Sequence, residues 1–232
     1  MNSISIIICV NDAEDTICQT FESLMNQTVK NKLFNLIVIN DGSRDSSGAI
    51  IQRYSNEFSN FTFIDRKSNK GVVFSMNEGI KQVTTDWFMR LDPDDTLKKD
   101  AIEQFLKVVN DHYDLILSNR VHVKCDKKEI IKVSSNIFSW IGCGVLIKTK
   151  NAKKISLYSS VFWEEFDFYT RYFQEGFKRY HIIDLPLYEY LIRENSITSS
   201  SESRKKGFEE LIRIYGKETL RKYGYEGKDY FK

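Results

Sequence analysis

One stretch of the chain joins an apolar run to a cluster of carboxylates: Trp87-Phe88-Met89-Arg90-Leu91-Asp92-Pro93-Asp94-Asp95. The apolar residues predict a short buried strand, and Pro93 stiffens the acidic turn that follows it. Two earlier predicted strands are also followed by polar residues, the second by Asp41 and the third by Arg66. Ligands bind beyond the carboxyl ends of the strands in an open parallel sheet, so the pattern predicts a ligand site at that edge.

Apolar runs alternate with helical periodicity through the first half of the chain. Strands are predicted at Ile4–Val10, Leu36–Ile39, Phe61–Ile64 and Trp87–Met89, and helices around residues 17–25, 50–58, 71–83 and 102–109. This alternation predicts an α/β fold, a mostly parallel sheet with helices on both faces. In the second half, strands are predicted at Leu115–Leu117, Val121–Lys124, Glu129–Val133 and Gly142–Ile147, and helices from Trp163 onward and over Phe208–Tyr215. We expect one domain over residues 1–200 and an amphipathic C-terminal helix within 201–232.

The composition argues against several classes of protein. The 232 residues include 34 Lys and Arg and 32 Asp and Glu, and a net charge of +2 argues against binding nucleic acid through bulk charge. The 4 cysteines are scattered, so neither a disulfide framework nor a zinc site is expected. The apolar start of the chain is too short for a signal peptide, and no segment is long enough for a membrane span. The predicted location is a reducing cytoplasm.

The residues at the predicted strand ends have both functional and structural interpretations. Asp92, Asp94 and Asp95 crowd together, and a hard cation such as Mg²⁺ or Mn²⁺ would relieve their repulsion. The alternative is a polar turn that precedes the next helix and complements its dipole. Asp41 is either part of a tight turn or an acceptor for a ligand N–H, such as the imide of uracil. Arg66 either counters phosphate charge or is solvated surface.

A second acidic cluster begins the helix predicted near Trp163. Glu164, Glu165 and Asp167 stand in its first turn, where the helix dipole favours negative charge, and this alone explains their presence. The same dipole would keep a carboxylate ionised, as a general base that activates a hydroxyl nucleophile requires. The residues themselves leave both interpretations open.

Taken in order, these motifs resemble a family 2 glycosyltransferase of the GT-A fold over roughly residues 4–200. The matching segments are Ser5-Ile6-Ile7-Ile8-Cys9-Val10, Val38-Ile39-Asn40-Asp41-Gly42-Ser43-Arg44-Asp45-Ser46, Asn69-Lys70-Gly71, Met76-Asn77-Glu78-Gly79-Ile80, Arg90-Leu91-Asp92-Pro93-Asp94-Asp95, Gly142-Cys143-Gly144, Trp163-Glu164-Glu165-Phe166-Asp167, Pro186-Leu187-Tyr188 and Arg193-Glu194-Asn195-Ser196-Ile197. Their order and spacing together make the resemblance specific.

The resemblance implies a metal-dependent, inverting transferase. It would move a sugar from a nucleotide-sugar, preferably a UDP-sugar, to a hydroxyl of a glycan or lipid-linked acceptor in bacterial surface polysaccharide or glycoconjugate synthesis. Residues 1–98 would form the nucleotide-sugar-binding half, and residues 99–200 the acceptor-binding half. Asp41 would contact uracil, while Asp92 and Asp94 would form a DXD-like motif that holds the donor diphosphate through Mn²⁺ or Mg²⁺.

The resemblance also assigns roles residue by residue. The nucleotide-sugar would contact Val10, Asp12, Asp41, Arg66, Asn69, Gly71, Asn77, Arg90 and Asp92; the metal would contact Asp92, Asp94 and, as an alternative ligand, Asp95; the acceptor and donor side would include Trp163, Asp167, Arg193 and Ser196. Glu165 would be the catalytic base, or share that role with Glu164, although the family usually has Asp at this position. Asn11-Asp12 stands where the family often has Tyr-Asn.

Two other functions stay open. A sugar nucleotidylyltransferase on a related fold would need a glycine-rich, basic loop after the first strand, whereas Asp12, Glu14 and Asp15 make this segment acidic. A non-catalytic nucleotide- or sugar-binding module is the other alternative, because Glu165 replaces the usual Asp.

The predicted C-terminal helix has a basic side and an apolar side. Lys205, Lys206, Arg213, Lys217, Arg221 and Lys222 lie opposite Phe208, Leu211, Ile212 and Tyr215. Packing onto the domain is one interpretation. The other is docking on an anionic membrane, where lipid-linked acceptors would lie, and it would place the protein peripherally on the inner face of the membrane.

Overall fold

The computed structural model describes residues 4–125, 127–193 and 200–227. Its strands are β1 (Ile4–Val10), β2 (Phe34–Asp41), β3 (Phe61–Arg66), β4 (Trp87–Arg90), β5 (Thr96–Leu97), β6 (Leu115–Lys124), β7 (Lys127–Ile131), β8 (Leu146–Lys148) and β9 (Tyr180–Leu191). Its α-helices are α1 (Ile17–Met25), α2 (Ser47–Tyr54), α3 (Val72–Gln82), α4 (Ala101–Val108), α5 (Thr149–Lys154), α6 (Glu164–Gln174), α7 (Ser201–Tyr215) and α8 (Lys217–Arg221).

A single sheet runs through the molecule in the order β3-β2-β1-β4-β8-β6-β9-β5, and β7 pairs with β6. The strands β3, β2, β1 and β4 are parallel to one another. Strand β8 is antiparallel to both β4 and β6, and β9 returns parallel to β6. The predicted α/β fold is confirmed, and the parallel half brings the carboxyl ends of β1, β2 and β4 to one edge.

The apolar run of β1 is long because both faces of the sheet are covered. Ile6 belongs to the apolar cluster that includes Phe21 of α1, whereas its neighbour Ile7 belongs to the cluster that includes Ile80 of α3. Helices α1, α2 and α4 thus cover one face, and α3, α6 and α7 cover the other. Met25, predicted on the buried side of α1, is 43% exposed because it is the last residue of that helix.

The second half of the sheet differs from the sequence expectation in several places. Strand β9 was not predicted, because Pro186 and charged residues interrupt its alternation; Pro186 is tolerated where the β6–β9 register is irregular. The hairpin strand predicted at Val121–Lys124 is the end of one long strand, β6. The strand predicted at Gly142–Ile147 shortens to β8, because Gly144 adopts a left-handed φ of 69° and packs on Tyr188.

Helix α7 packs on the domain through its apolar side. The Phe208 ring centroid lies 5.9 Å from that of Phe166 and 5.2 Å from that of Trp163. The exposed side carries both signs of charge, for example Lys206 paired with Glu202. Within the described residues, no helix combines the length and the apolarity that crossing a membrane requires.

Close packing of α3 on the sheet depends on Gly79, where a Cβ would lie only 2.6 Å from the Ile7 Cγ2 atom. We expect Gly79→Val to lower the free energy of unfolding by about 1–3 kcal/mol, because overpacking forces the helix off the sheet. Urea unfolding measures this change. Lys81→Val, on the exposed side of the same helix, is the control; equal losses in both variants would contradict the packing explanation.

Candidate active site

Asp41 ends β2 with a carboxylate that is 3% exposed and held by three donors. The Arg66 Nη1 atom donates at 2.9 Å, and the backbone N–H groups of Lys70 and Gly71 donate at 3.0 and 2.8 Å. An ionised carboxylate has about four acceptor positions. One position is therefore free for a further donor at the edge where the sequence predicted the site.

Arg66 holds Asp41 in place and has several other partners. Besides Asp41 it pairs with Glu78, donates to the Ser75 hydroxyl at 2.8 Å, and lies 4.6 Å from the centre of the Phe74 ring. Its side chain is only 10% exposed. The geometry makes Arg66 a support for Asp41.

The other residues predicted at the nucleotide form a network between loops. The Asn69 amide donates to Asn11 Oδ1 at 2.8 Å, and the Asn11 amide donates to the Asp41 carbonyl at 3.2 Å. Asp12 has a left-handed φ of 50° and accepts from the Arg44 N–H at 2.7 Å. Asn77 has different partners. Its side-chain amide donates to the Tyr158 carbonyl and accepts from the Tyr158 N–H, at 2.9 Å each.

Arg90, at the end of β4, joins the two acidic clusters. Its Nε and Nη2 atoms donate to the two oxygens of Asp92 at 2.6 and 3.2 Å, and Nη1 donates to Glu164 at 3.1 Å. Burial disfavours the charged guanidinium, but Asp92 and Glu164 outweigh it and hold the pKa of Arg90 above its ordinary value. The acidic turn and the start of α6 are therefore parts of one site.

The carboxylates of the acidic turn have different environments. Asp94 pairs with Arg193 at 2.5 Å, and burial together with Asp92 raises the pKa of Asp94. Asp95 is 1% exposed, and its oxygens accept from the Tyr188 hydroxyl at 2.6 Å and the Leu191 N–H at 2.7 Å. Asp95 thus ties the turn to β9, a structural task that the sequence alone did not reveal.

A hard divalent cation at the outer part of this cluster would compete with two arginines, because Arg90 contacts both oxygens of Asp92 and Arg193 pairs with Asp94. Asp92 and Asp94 are 24% and 12% exposed and offer only oxygen ligands, which Mg²⁺ and Mn²⁺ prefer. Ligand atoms of Asp92, Asp95 and Cys143 also lie within 4.8 Å of one another. Burial, reinforced by Asp92 and Asp95, raises the pKa of the Cys143 thiol, so it stays protonated and is a poor ligand.

Glu165 has the most perturbed carboxylate at the start of α6. Burial, followed by the nearby charge of Glu164, raises its pKa from 4.5 to about 8, while Arg90 opposes the shift. The sequence analysis expected the helix dipole to keep this group ionised; burial is the larger effect here. Gly142 makes room beside it, since a Cβ at that position would lie 3.4 Å from Glu165 Cβ and 3.3 Å from Arg90 Nη1.

Comparison with known proteins bears directly on this arrangement. The family model described as "Glycosyl transferase family 2" matches residues 5–184, which is most of the chain. The chain belongs to glycosyl transferase family 2. It is 36% identical over 117 residues to a teichoic acid poly(glycerol phosphate) polymerase of Staphylococcus epidermidis, and 35% identical over 106 residues to a poly-beta-1,6-N-acetyl-D-glucosamine synthase of the same species. These matches cover 50% and 44% of this chain but only 16% and 25% of those proteins.

Solved structures show the same GT-A fold around this family 2 site. TarS residues 1–349 of S. aureus, crystallised with UDP-GlcNAc, superposes with a TM-score of 0.76 at 17% identity, covering 95% of this chain and 71% of that one. The mannosyltransferase PcManGT of Pyrobaculum calidifontis, in complex with GDP-Man and Mn²⁺, has a TM-score of 0.73 at 12% identity, covering 90% and 64%.

Two of the residues predicted on the acceptor and donor side, Trp163 and Asp167, are buried between helices. Trp163 is 1% exposed, and its indole N–H donates to the Arg204 carbonyl at 3.2 Å. Asp167 is 3% exposed and accepts from Arg171 and from the Tyr215 hydroxyl. The structure places both in the packing between α6 and α7 instead of at the opening. Ser196 lies outside the described residues.

Tyr188 contacts the acidic turn, which the sequence motifs alone did not predict. Besides donating to Asp95, its hydroxyl accepts from the Asp92 N–H at 3.3 Å. Its ring also packs on Gly144. The signal was present in the motif Pro186-Leu187-Tyr188, but without strand β9 nothing placed this tyrosine beside the acidic turn.

The contacts of Asp95 predict a stability role that Asp94 does not share. We expect Asp95→Ala to lower the free energy of unfolding by about 2–4 kcal/mol, because a buried hydroxyl and a buried N–H lose their acceptor. Asp94→Ala, with a half-exposed arginine as partner, is the control and should change stability by less than about 1 kcal/mol. Urea unfolding measures both. Unchanged stability together with lost Mn²⁺ binding in Asp95→Ala would make Asp95 a metal ligand instead.

The raised pKa of Glu165 predicts how stability depends on pH. The folded protein holds this proton up to about pH 8, whereas an ordinary glutamate releases it near pH 4.5. Wild type should therefore lose stability relative to Glu165→Gln as pH rises through that window, by at most about 1.4 kcal/mol per pH unit. Urea unfolding at pH 5, 7 and 9 in EDTA measures the difference. Glu175→Gln, just beyond the other end of α6, is the control; a pH-independent difference for Glu165→Gln would contradict the shift.

Proposed function

We propose that the protein is an inverting glycosyltransferase that moves a sugar from a UDP-sugar to an acceptor hydroxyl. The observation that carries the proposal is Arg90, whose guanidinium holds Asp92 and Glu164 together beside Glu165. This contact unites a cation-binding turn with a candidate general base at the sheet edge where Asp41 stands. Membership of the family supports the reaction class.

The donor end of the site suits a uracil nucleotide. The Asp41 carboxylate has one acceptor position left, and the imide of uracil offers one N–H between two carbonyls. The UDP-GlcNAc complex of TarS supports this choice of donor. Mn²⁺ or Mg²⁺ held by Asp92 and Asp94 would supply positive charge for the departing diphosphate.

Glu165 acts as the base in this proposal. Its carboxylate removes the proton from the acceptor hydroxyl, the hydroxyl oxygen bonds to the anomeric carbon, and the nucleoside diphosphate leaves from the opposite face. With a pKa of about 8 only the minor, ionised fraction of Glu165 acts as the base at neutral pH, and transfer should therefore become faster as pH rises toward 8. Glu164 is committed to Arg90 and therefore positions that arginine.

The acceptor belongs to the polyhydroxyl polymers of the bacterial surface in this proposal. The names of the relatives, a teichoic acid polymerase and a poly-N-acetylglucosamine synthase, support a glycan or lipid-linked acceptor. The chain covers only a fraction of those proteins. Their acceptors therefore support this proposal and are not assigned to this chain directly. Peripheral contact of α7 with the inner face of the membrane belongs to the same proposal.

The two alternatives predict different outcomes. A nucleotidylyltransferase must bind a triphosphate in the loop after β1. In this loop the Asp12 and Glu14 carboxylates accept from the backbone N–H groups of Arg44 and Ser46, so these N–H groups already have partners. A non-catalytic module would bind UDP without turning over any UDP-sugar. Binding and turnover therefore have to be measured separately.

Calorimetric titration with UDP tests the donor site. We expect binding to wild type that requires Mn²⁺ or Mg²⁺ and weakens at least ~10-fold in Asp94→Ala, because a ligand of the cation is lost. Asp86→Ala, an exposed carboxylate after α3, is the control and should bind as wild type does. If neither UDP nor GDP binds, the donor assignment is contradicted.

Turnover of UDP-sugars then tests the base. Glu165→Gln should retain UDP affinity while transfer falls by about 10²–10⁴-fold, the usual contribution of a general base. Glu175→Gln, just beyond the other end of α6, serves as the control. Full activity of Glu165→Gln would remove Glu165 from the mechanism.

A further inference from the structure

Tyr158 has a buried hydroxyl that no step of the proposed mechanism uses. The side chain is 4% exposed, and its hydroxyl has no hydrogen-bond partner among the residues that the structure describes. Buried polar groups nearly always have a partner, so an orphaned hydroxyl calls for an explanation. Burial raises the pKa of this phenol, so the hydroxyl keeps its proton at neutral pH and is available as a donor.

The backbone before Tyr158 is strained and is held by residues of two helices. Ser156 and Leu157 both have a left-handed φ of 64°, which residues other than glycine rarely adopt. Arg171 of α6 donates to the Leu157 carbonyl at 2.7 Å, and Asn77 of α3 bonds to both backbone groups of Tyr158. Strain of this kind persists only where the surroundings fix the conformation, and it is common at functional sites.

The Tyr158 ring packs against the helix face that carries Glu165. It stacks on Phe168, with the ring centroids 4.5 Å apart and the planes inclined by 20°. Phe168 follows Glu165 by three residues in α6, and side chains three residues apart are neighbours on a helix. Helical side chains also lean toward the N-terminus, which directs the Phe168 ring toward the first turn. Tyr158 therefore lies beside the turn that carries the proposed base.

The other titratable and charged groups that face Glu165 and Tyr158 come from α6, the end of β4, the acidic turn and the segment before β8. They are Glu164, Arg90, Asp92, Cys143 and Tyr169. The carboxylates of Glu164 and Asp92 are committed to Arg90. Glu165 is the remaining carboxylate of this set, and it pairs with no other side chain in the part of the chain that the structure describes.

We propose that Tyr158 is a positioning residue whose hydroxyl donates a hydrogen bond to the Glu165 carboxylate when that carboxylate is ionised. The inference rests on the proposed transferase function and deepens it. The two side chains are not hydrogen-bonded in this structure, so the bond forms by rotation of the Glu165 side chain. Tyr158 keeps its own proton throughout, and the proton of the acceptor hydroxyl goes to Glu165.

Direct titration of Glu165 tests the contact without any substrate. The carboxyl ¹³C shift is followed from pH 5 to 10 in EDTA, in protein labelled at its glutamates, and Glu165→Gln identifies the resonance. A hydrogen bond to the ionised form favours that form. We therefore expect Tyr158→Phe, which removes the hydroxyl and keeps the ring, to raise the midpoint by about one pH unit. An unchanged midpoint overturns the proposal.

Tyr172→Phe is the matched control on α6. Tyr172 is also buried, but its hydroxyl donates to the Asp114 carbonyl at 2.9 Å. Its loss should lower resistance to urea and leave the Glu165 midpoint unchanged. Tyr158→Phe should do the reverse, because at pH 5 it removes a hydroxyl that has no partner. Equal movement of the Glu165 midpoint in both variants would reveal a general packing effect and overturn the proposal.

The pH profile of turnover separates this inference from the transferase function. Release of UDP from UDP-GlcNAc, with water as acceptor, is measured from pH 6 to 10. We expect Tyr158→Phe to be about tenfold slower than wild type at pH 7 and nearly equal at pH 10, with KM unchanged, because only the ionised fraction of the base differs. A loss that is uniform across this range overturns the positioning role.

The two proposals can fail independently. Absence of turnover in both proteins, with the Glu165 midpoint still raised by Tyr158→Phe, overturns the transferase assignment and leaves the contact in place. Turnover with the same pH profile in both proteins and an unchanged midpoint overturns the contact and leaves the transferase assignment in place.

Discussion

The pairing of Arg90 with Asp92 and Glu164 is the contact on which the rest of the site depends. Three carboxylates, including Glu165, converge here in a largely buried place, and without the guanidinium their repulsion would drive them apart. Its fork geometry lets one side chain contact both Asp92 and Glu164, and Glu164 lies 74 residues further along the chain. A lysine could supply the charge but not both contacts.

The sheet explains why these groups meet at all. β1, β2 and β4 run parallel, so their ends deliver Asp41 and Arg90 to one edge. β9 then returns beside β6, and the end of β9 is bound to the acidic turn through Asp95. The parallel half of the sheet thus places Asp41 and Arg90, and the mixed half brings the end of β9 against the acidic turn.

Sequence predicted the parallel half well because the residues of β1 and β2 are apolar on both faces, a pattern that does not depend on the rest of the fold. It also predicted that Asp41, Arg90 and Glu165 stand at strand and helix ends, which is where the structure has them. The sequence could not distinguish the roles of Asp94 and Asp95, because the two differ in their contacts with β9 and the residue that follows its end. The burial of Trp163 and Asp167 was not predicted for a similar reason: both contact residues of α7, and the pattern of one helix does not contain its neighbours.

The bond between Asn77 and Tyr158 has a consequence for which substitutions this family 2 chain can accept. The side-chain amide of Asn77 contacts the backbone of residue 158: its oxygen accepts from the N–H, and its nitrogen donates to the carbonyl. These two hydrogen bonds place no demand on the side chain at position 158, which is constrained instead by its burial and by stacking on Phe168 at 4.5 Å. Position 77 is constrained by the bonds themselves, because a side chain with only donors, only acceptors or neither cannot form both. Two residues that share one contact are thus constrained for different physical reasons.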